Sequence, residues 1–375
     1  MEREELSAWL RLEATPGVGN TAARRLLAAF GLPQAVFDAS SAALQQVATP
    51  AQAQALRTEP AGFAALLDTT WAWLQEQDAT GAQRRYATLG DPAYPAPLLA
   101  MEDPPLALYL LGRPLPAQAG AIAIVGSRNP TPQGLQNAKA FARHFAASGL
   151  TVVSGMALGI DAAAHEGALD GAPAGDTGLA TIAVVGTGLD RVYPKRHLAL
   201  AHRIAEQGLI VSEYPLGTPP LAANFPKRNR IIAGLSLGTL VVEAATPSGT
   251  LITARLTADQ GKEVFAIPGS IHSPQSRGCH LLIRQGAKLV ESAQDVLEEL
   301  RLPTDTAAAS TASTQDAGPE DPLLTAMGYE PVGLDALVAR TGISAAALQV
   351  ALLELELSDR VARLAGGLFQ RMEKA

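Results

Sequence analysis

Small residues recur in this sequence at positions where a phosphate group could be held. Five short apolar runs are each followed by a turn rich in glycine, serine or proline. These turns contain Gly126-Ser127, Ser154-Gly155, Gly186-Thr187-Gly188, Pro247-Ser248-Gly249 and Pro268-Gly269-Ser270. Glycine lets a ligand approach the backbone closely, and a helix that follows such a turn directs free N–H groups and a positive dipole end toward an anion. One such turn is ordinary in a strand–helix connection, but five at one sheet edge favour an anion-binding crevice.

The glycine spacing excludes the commonest nucleotide-binding motifs. The first apolar run is followed by Gly126 and then Gly134, so G-x-G-x-x-G is absent there, and G-x-x-x-x-G-K-[ST] occurs nowhere. Dinucleotides and P-loop nucleotides are therefore disfavoured, and no cofactor is expected.

The distribution of charge points to a different anion. Residues 190–230 contain seven Lys or Arg against three Asp or Glu, inside a chain whose net charge is −7. The densest part is Phe225-Pro226-Lys227-Arg228-Asn229-Arg230. Such a run alone is more often a solvated face. Beside the glycine turns, cations for phosphates and an aromatic ring for bases favour single-stranded nucleic acid.

These residues require a sheet that brings the turns to one edge. Short β-branched runs without polar alternation predict buried parallel strands. The predicted strands are Ala121–Val125, Leu150–Val153, Thr181–Val185, Leu209–Val211, Thr239–Val242 and Glu263–Ile267. Helical stretches such as Gln133–Ala147, Leu198–Gln207 and Ala293–Leu300 alternate with them or follow them. The pattern predicts a doubly wound, Rossmann-like α/β domain over residues 85–300.

Two smaller units flank this domain. Residues 1–80 predict a helical domain, in which the turn Thr15–Thr21 fits either a phosphate-binding helix-hairpin-helix or a tight connection in a small bundle. Residues 303–320 have the composition of a linker. Residues 321–375 predict a winged helix. Its third helix, Ser344–Leu357, carries Glu354 and Glu356 but no Lys or Arg, which favours protein contacts over reading of duplex DNA.

Composition limits the remaining classes. No apolar run is long enough for a membrane span and no signal peptide is recognisable, so a cytoplasmic protein without membrane association is expected. Cys279 is the sole cysteine, which rules out an intrachain disulfide.

Other candidate chemistry is weaker. Asp161 and His165 lie four residues apart on a predicted helix and fit metal ligands, an acid–base pair or, preferably, a hydrogen-bonded pair. His272, Cys279 and His280 are weak evidence for zinc. Ser127 and Ser154 have no evident general base, so no catalytic residue and no metal site are predicted.

Several ordered motifs resemble the DNA processing protein A family (DprA, also called Smf). They cover residues 95–295 approximately and follow the family's order. The motifs are Ile124–Arg128, Ser154–Asp161 with Ala164-His165, Val185–Asp190 with Tyr193-Pro194, Asn224–Ser236, Ser248–Ala254 and Gly278–Ile283 through Gly286-Ala287.

The resemblance implies a protein that binds single-stranded DNA and loads the recombinase RecA onto it in natural transformation. It also implies a homodimer formed through the Rossmann domain. Phosphates are expected on Arg128, Lys195, Lys227, Arg228 and Arg230. The complete predicted DNA site is Gly126, Ser127, Arg128, Ser154, Gly155, Gly186, Gly188, Lys195, Asn224, Phe225, Pro226, Lys227, Arg228, Asn229 and Arg230. Two departures from the family pattern are the longer segment 170–180 and Leu158, at a position that is often basic.

One enzymatic alternative stays open. Nucleotide phosphoribohydrolases with Rossmann folds carry a Pro-Gly-Gly-x-Gly-Thr loop followed by a glutamate. Here Pro247-Ser248-Gly249-Thr250 lacks that carboxylate, and Glu243, at a strand end, is the acid that could replace it.

Overall fold

The N-terminal region is a bundle of short helices packed against the edge of a sheet. The structure, a computed structural model, describes residues 1–76, 81–115, 120–173, 178–301, 321–358, 360–364 and 366–372. The helices are α1 (Arg3–Ala14), α2 (Asn20–Phe30), α3 (Pro33–Asp38), α4 (Ser41–Val47), α5 (Pro50–Arg57) and α6 (Phe63–Gln75). Leu6, Trp9 and Leu10 of α1 are buried, as their helical spacing predicts, and they pack in one apolar cluster with Tyr86 and Tyr109 of the sheet.

The central domain is a nine-stranded sheet. Its strands are β1 (Gln83–Thr88), β2 (Ala107–Gly112), β3 (Ala121–Val125), β4 (Thr151–Ser154), β5 (Thr181–Val184), β6 (Leu209–Ser212), β7 (Gly238–Val241), β8 (Glu263–Ala266) and β9 (Lys288–Leu289). Strands β3 to β9 pair in parallel, whereas β1 and β2 add antiparallel pairings at one edge. The helices of this domain are α7 (Pro132–Ala147), α8 (Ile160–Gly171), α9 (Leu198–Gln207), α10 (Asn224–Leu235), α11 (Gly249–Asp259), α12 (Arg277–Arg284) and α13 (Ala293–Glu299).

The sheet is apolar on both faces because helices cover both. In β3, Ala121, Ala123 and Val125 belong to one core cluster, and Ile122 and Ile124 belong to another. This double burial explains why the parallel strands read as unbroken apolar runs rather than alternating ones.

The strand order places a topological switch between β3 and β7. The order is β1-β2-β6-β5-β4-β3-β7-β8-β9. The chain therefore steps from β3 outward to β6 in one direction, and then from β7 to β9 in the other. Loops after β3 and β7 diverge to opposite faces and leave a crevice at the carboxyl ends of these strands, where open α/β sheets bind their ligands.

The C-terminal region is a winged helix. Helices α14 (Pro322–Met327), α15 (Leu334–Thr341) and α16 (Ala345–Leu357) pack on a three-stranded sheet of β10 (Val332–Gly333), β12 (Leu368–Arg371) and β11 (Val361–Arg363). Leu337, Leu348 and Leu352 lie at the centre of its core. The segment 302–320, which holds the predicted linker, lies outside the described residues.

The Rossmann-like fold and all six predicted parallel strands are confirmed. Four strands were not predicted: β1, β2, β9 and β10. Gln83–Thr88 is a mostly polar edge strand, and β9 and β10 have two residues each, so these three carry no clear apolar pattern. Strand β2 is apolar and buried, Ala-Leu-Tyr-Leu-Leu-Gly, and was missed although its sequence carries the signal. Among the described residues, no single helix is long and apolar enough to cross a membrane; α15 and α16 reach the threshold only as a pair bent by 108°.

Candidate nucleic-acid interface

A cleft of about 730 Å³ opens at the topological switch point. The turn after β3 forms one wall, the segment after β7 with the start of α11 forms the second, and the start of α10 forms the third. The lining includes Gly126, Ser127, Arg128, Asn129, Asp161, Tyr193, Phe225, Pro226, Arg228, Asn229, Pro247, Ser248, Gly249, Thr250, Thr253 and Gln275. The residues converge from distant parts of the sequence because the carboxyl ends of parallel strands meet at one edge.

The β3 turn is fixed by backbone hydrogen bonds on both sides. The Ser127 N–H donates to the Glu243 carbonyl over 2.7 Å, and the Ser127 carbonyl accepts from the Ile160 N–H over 3.1 Å. The next residue, Arg128, is exposed and makes no ion pair within the part of the chain that the structure describes. The turn therefore presents a cation whose charge is available to a ligand.

Arg128 lies beside a pair of aromatic side chains at the mouth of the cleft. Its guanidinium carbon lies 5.7 Å from the Phe225 ring centre, and the Tyr193 ring lies 5.7 Å from the same ring. Tyr193 is 46% exposed. An arginine beside a pair of neighbouring aromatic rings offers both a phosphate contact and a surface for a base.

The role expected for Arg228 is revised by its burial. The side chain is 4% exposed, and its Nη1 atom donates to the Gly155 carbonyl over 2.6 Å and to the Val184 carbonyl. Gly155 must be glycine because a Cβ there would overlap the guanidinium. Burial lowers the pKa of Arg228 to about 10, while Asp161 acts in the opposite direction, so the group remains charged near neutral pH. Arg228 forms the floor of the cleft and holds the ends of β4 and β5 together.

Asp161 is a buried carboxylate whose charge acts on Arg228. It is 7% exposed and accepts from the Ala157 N–H over 3.3 Å. Burial raises its pKa, and the nearby Arg228 charge partly opposes that increase. His165 instead pairs its Nδ1 with the Thr181 hydroxyl over 2.7 Å, and burial lowers its pKa to about 3. The expected hydrogen bond between Asp161 and His165 is therefore wrong.

Arg230 is also engaged inside the protein. Its guanidinium pairs with Glu213, and both side chains are nearly buried, at 12% and 6% exposure. Asn20 of α2 donates to the same carboxylate over 3.1 Å, and the Lys227 ammonium lies 3.7 Å from it. Glu213 thus connects the basic segment to the N-terminal helices, and Arg230 does not line the cleft. Lys227 is half exposed and keeps part of its charge at the surface.

The start of α11 supplies a wall that the predicted site did not include. The Ser248 side chain caps the helix by accepting from the Thr250 N–H over 3.1 Å, and the Thr250 hydroxyl donates to the Gly126 carbonyl over 3.0 Å. These bonds fix the helix N-terminus against the β3 turn. At Gly249, the first helical residue, a Cβ would have no atom within 4 Å, so this position faces open space.

The structure separates the predicted site residues into two groups. Those that line the cleft are Gly126, Ser127, Arg128, Phe225, Pro226, Arg228 and Asn229. Those that lie outside its lining are Ser154, Gly155, Gly186, Gly188, Lys195, Asn224, Lys227 and Arg230. Ser154 is fully buried and donates to the Ile124 carbonyl, and Gly186 accommodates the Phe225 ring. At Gly155 and Gly186, the space beside the glycine is therefore occupied by side chains of this protein, Arg228 and Phe225, and is not open to a ligand.

Lys195 and Asn224 differ from these buried positions. Lys195 is exposed in a short helical turn two residues beyond Tyr193, so its charge lies near the mouth of the cleft. The Asn224 amide donates to the Gly186 carbonyl over 3.0 Å and anchors the start of α10.

The candidate acid of the enzymatic alternative is used structurally. Glu243 accepts from the Thr131 N–H over 2.9 Å and from the Thr131 hydroxyl over 2.5 Å, at the N-terminus of α7. Burial raises its pKa, and the two hydrogen bonds oppose the increase. Glu243 is not among the residues that line the cleft.

The remaining sequence candidates are also accounted for. Cys279 is buried and its thiol faces backbone carbonyls, while the His280 Nε2 lies 2.9 Å from the Gly269 carbonyl. Within the described residues, no three His, Cys, Asp or Glu side chains are grouped to hold a metal ion.

The turn before α2 fits the tight-connection alternative. Asn20 donates to Glu213 and Asp103, and Arg24 donates to Asp103. The start of α2 thus faces carboxylates of the protein itself, which is unfavourable for a phosphate.

Comparison with known proteins places the chain among DNA-processing proteins. A family model described as DNA recombination-mediator protein A matches residues 85–301, and a model described as the DprA winged helix domain matches residues 306–367. Protein Smf from Escherichia coli (strain K12) is 42% identical over 290 residues, 75% of this chain and 76% of its own length. Protein Smf from Synechocystis is 34% identical over 99% of this chain and 100% of its own.

Two solved structures are similar as well. One is DNA processing protein A from Streptococcus pneumoniae, which is 34% identical in sequence and superposes with a TM-score of 0.65. The similarity covers 80% of this chain and 98% of the Streptococcus pneumoniae chain. DNA processing protein A from Helicobacter pylori, whose structure is described in terms of its single-stranded DNA binding mode, has a TM-score of 0.50 and 31% identity. That similarity covers 58% of this chain and 96% of the other.

Proposed function

This chain belongs to the DNA recombination-mediator protein A family, and on that premise we propose that it binds single-stranded DNA in the cleft between the ends of β3 and β7. The observation that carries the proposal is the set of groups at that cleft. Arg128 is exposed without an ion pair among the described residues, the Phe225 ring lies beside it with Tyr193 next to that ring, and the start of α11 forms the opposite wall. The related Helicobacter pylori protein, described as binding single-stranded DNA, supports it.

In the proposed mode of binding, phosphates contact Arg128 and the N–H groups at the start of α11. Bases stack on Tyr193 and Phe225, and Lys195 and Lys227 add positive potential at the rim. Arg228 acts indirectly because it holds the floor of the cleft, and Arg230 acts indirectly through Glu213. Stacking and phosphate contacts carry little sequence information, so weak sequence preference is expected.

We further propose that the bound strand is passed to the recombinase RecA, in natural transformation and homologous recombination. The match to a recombination-mediator family supports this step. The protein would act stoichiometrically in the cytoplasm, without catalysing a covalent change. The structural use of Glu243 counts against the phosphoribohydrolase alternative. Hydrolysis of a nucleoside monophosphate by the wild-type protein, lost on Glu243→Gln, would revive that alternative.

A homodimer is proposed through the β9 end of the sheet. This end carries a shallow apolar groove of about 810 Å³, lined in part by Ile271, Leu281, Ile283 and Leu289. Ile271 is 74% exposed. Leu289 is 51% exposed and lies in β9, the last strand of the sheet. A second copy would cover both the apolar side chains and the strand edge. Sedimentation of Ile271→Ser should show a monomer if this face is the interface.

The binding proposal is tested by titrating a labelled oligonucleotide, single-stranded or duplex, with the wild-type protein and Arg128→Gln. The wild type should prefer the single strand. Arg128→Gln should bind it more weakly, with a salt slope reduced by about 0.7, the contribution of one phosphate. Equal affinities and equal slopes for the two proteins would remove Arg128 from the site.

A further inference from the structure

The third helix of the winged helix, α16, has two apolar faces. One face packs in the domain core through Leu348, Leu352 and Leu355. The opposite face carries an apolar stripe of Ala346, Val350, Leu353 and Leu357, at the i, i+4, i+7 and i+11 spacing of a single helix side. Val350 is 61% exposed, Leu353 is 55% exposed and Leu357 is 79% exposed. Helices that are apolar on all sides are normally buried on all sides.

Acidic side chains border this stripe. At 3.6 residues per turn, Glu354 falls on one flank and Glu356 on the other. The helix contains no Lys or Arg. In winged helices that read duplex DNA, the corresponding helix enters the major groove. Here two carboxylates and exposed leucines would face the phosphates, so this surface is unsuited to DNA.

We propose that the apolar stripe of α16 binds an amphipathic helix of a partner protein, one whose own apolar stripe is bordered by lysine or arginine. Apolar contact supplies affinity, and the two glutamates select the charge of the partner. A second copy of α16 is a poor occupant because neither helix would bring a cation to the seam, and four glutamates would be left near one another. This inference is independent of the proposed DNA cleft, because α16 lines no part of it.

The test uses full-length protein and two labelled helical peptides with the same leucine stripe. One peptide has lysines along the borders of the stripe, and the other has glutamates. Fluorescence anisotropy should show binding of the lysine peptide and little binding of the glutamate peptide, with the preference weakening as salt is raised.

Variants connect this binding to the stripe. Leu353→Gln should weaken binding of the lysine peptide by at least about tenfold, because the leucine side chain would no longer be removed from water on binding. The matched control is Leu99→Gln, since Leu99 is a leucine of similar exposure (56%) in the central region. It should bind both peptides as the wild type does. The double variant Glu354→Lys/Glu356→Lys should reverse the preference in favour of the glutamate peptide.

Several outcomes would overturn the proposal. These are absence of binding to either peptide, equal affinity for both, and binding that Leu353→Gln leaves unchanged. Sedimentation provides a further outcome. If the wild type sediments as an oligomer and Leu353→Gln sediments as a monomer, a second copy of this chain occupies the stripe, and the proposed partner is rejected. Failure of the DNA proposal would be visible separately, because Leu353→Gln should bind the oligonucleotide as the wild type does.

Discussion

Replacing Arg228 with methionine tests whether this residue builds the cleft or contacts the ligand. Methionine has a similar length and no charge. The variant would remove the donor for the Gly155 and Val184 carbonyls and would leave Asp161 buried without its nearby cation. Loss of a buried guanidinium that donates to two carbonyls and offsets the charge of a buried carboxylate is comparable to breaking a buried ion pair, which costs about 3–5 kcal/mol. For a domain the size of residues 85–301, 1 kcal/mol corresponds to about 2–4 °C in Tm, so we expect Tm to fall by about 6–20 °C.

The pH dependence of this loss has a definite sign. Arg228 lowers the pKa of Asp161 against the effect of burial. Without Arg228 the folded-state pKa of Asp161 rises further above its unfolded value. The stability of the variant is therefore lost as pH rises through that higher pKa, and the gap to the wild type widens toward alkaline pH. Asp161→Asn in the Arg228→Met background should restore part of the stability and remove most of this pH dependence.

Calorimetry of both proteins at several pH values provides the measurement. Arg128→Met serves as the control, because Arg128 is exposed and its loss should change Tm by no more than about 1 °C while weakening DNA binding. An Arg228→Met protein that melts within about 2 °C of the wild type would refute the assigned role, since that shift corresponds to about 1 kcal/mol at most.

Three further predictions concern Arg230, the winged helix, and Glu13 of α1, whose carboxylate accepts a hydrogen bond from the Tyr86 hydroxyl. Arg230→Gln should leave the salt slope of oligonucleotide binding unchanged, because its charge is already paired with Glu213; a decrease of about 0.7 would show a direct phosphate contact. Burial raises the pKa of Glu13 to about 7, so its contribution to stability is present below pH 4.5 and lost as pH rises through about 7. Glu13→Gln should therefore be more stable than the wild type by about 2–4 kcal/mol at pH 8, with no such gain at pH 4.5. Urea unfolding at both pH values measures this difference in the free energy of unfolding. A difference that is the same at both pH values would contradict the reasoning. The fragment 321–375 should not bind duplex DNA at physiological salt, and tight binding in a filter assay would contradict the acidic character assigned to α16.

Much of the fold could be predicted from the sequence because burial leaves a direct mark on it. Unbroken apolar runs such as Ala121–Val125 identify parallel strands covered on both faces. The flanking helices and the winged helix follow from helical spacing and turn residues. The order of strands leaves no such mark, so the switch between β3 and β7 could not be located. For that reason Ser248–Thr250, although recognised as a strand-end turn, were not assigned to the DNA site.

The site could be predicted only in part, because residue type does not reveal which partner a side chain meets. Arg128 and Arg228 read alike in the sequence, but one is exposed and the other is enclosed by carbonyls and Asp161. Glycine at position 155 suggested room for a ligand, whereas the space is filled by Arg228. Arg230 depends on Glu213, and no local pattern connects the two side chains to Asn20. These pairings arise from tertiary contacts between distant segments.

The most direct test of the central claim places a carboxylate inside the cleft without disturbing the fold. Gly249 lines the cleft, and a Cβ added there meets no atom within 4 Å. Glutamate at the first position of α11 is also compatible with the helix dipole. Ala147→Glu serves as the control. It adds the same charge at the exposed C-terminal end of α7, which lies near the amino ends of the strands, away from the cleft.

Affinity for a single-stranded oligonucleotide should fall by at least about tenfold in Gly249→Glu, the effect of losing about 1.4 kcal/mol of binding free energy. It should remain close to the wild-type value in Ala147→Glu, and both variants should remain folded, with a Tm within about 4 °C of the wild type. Wild-type affinity in a folded Gly249→Glu protein would show that the strand does not occupy this cleft.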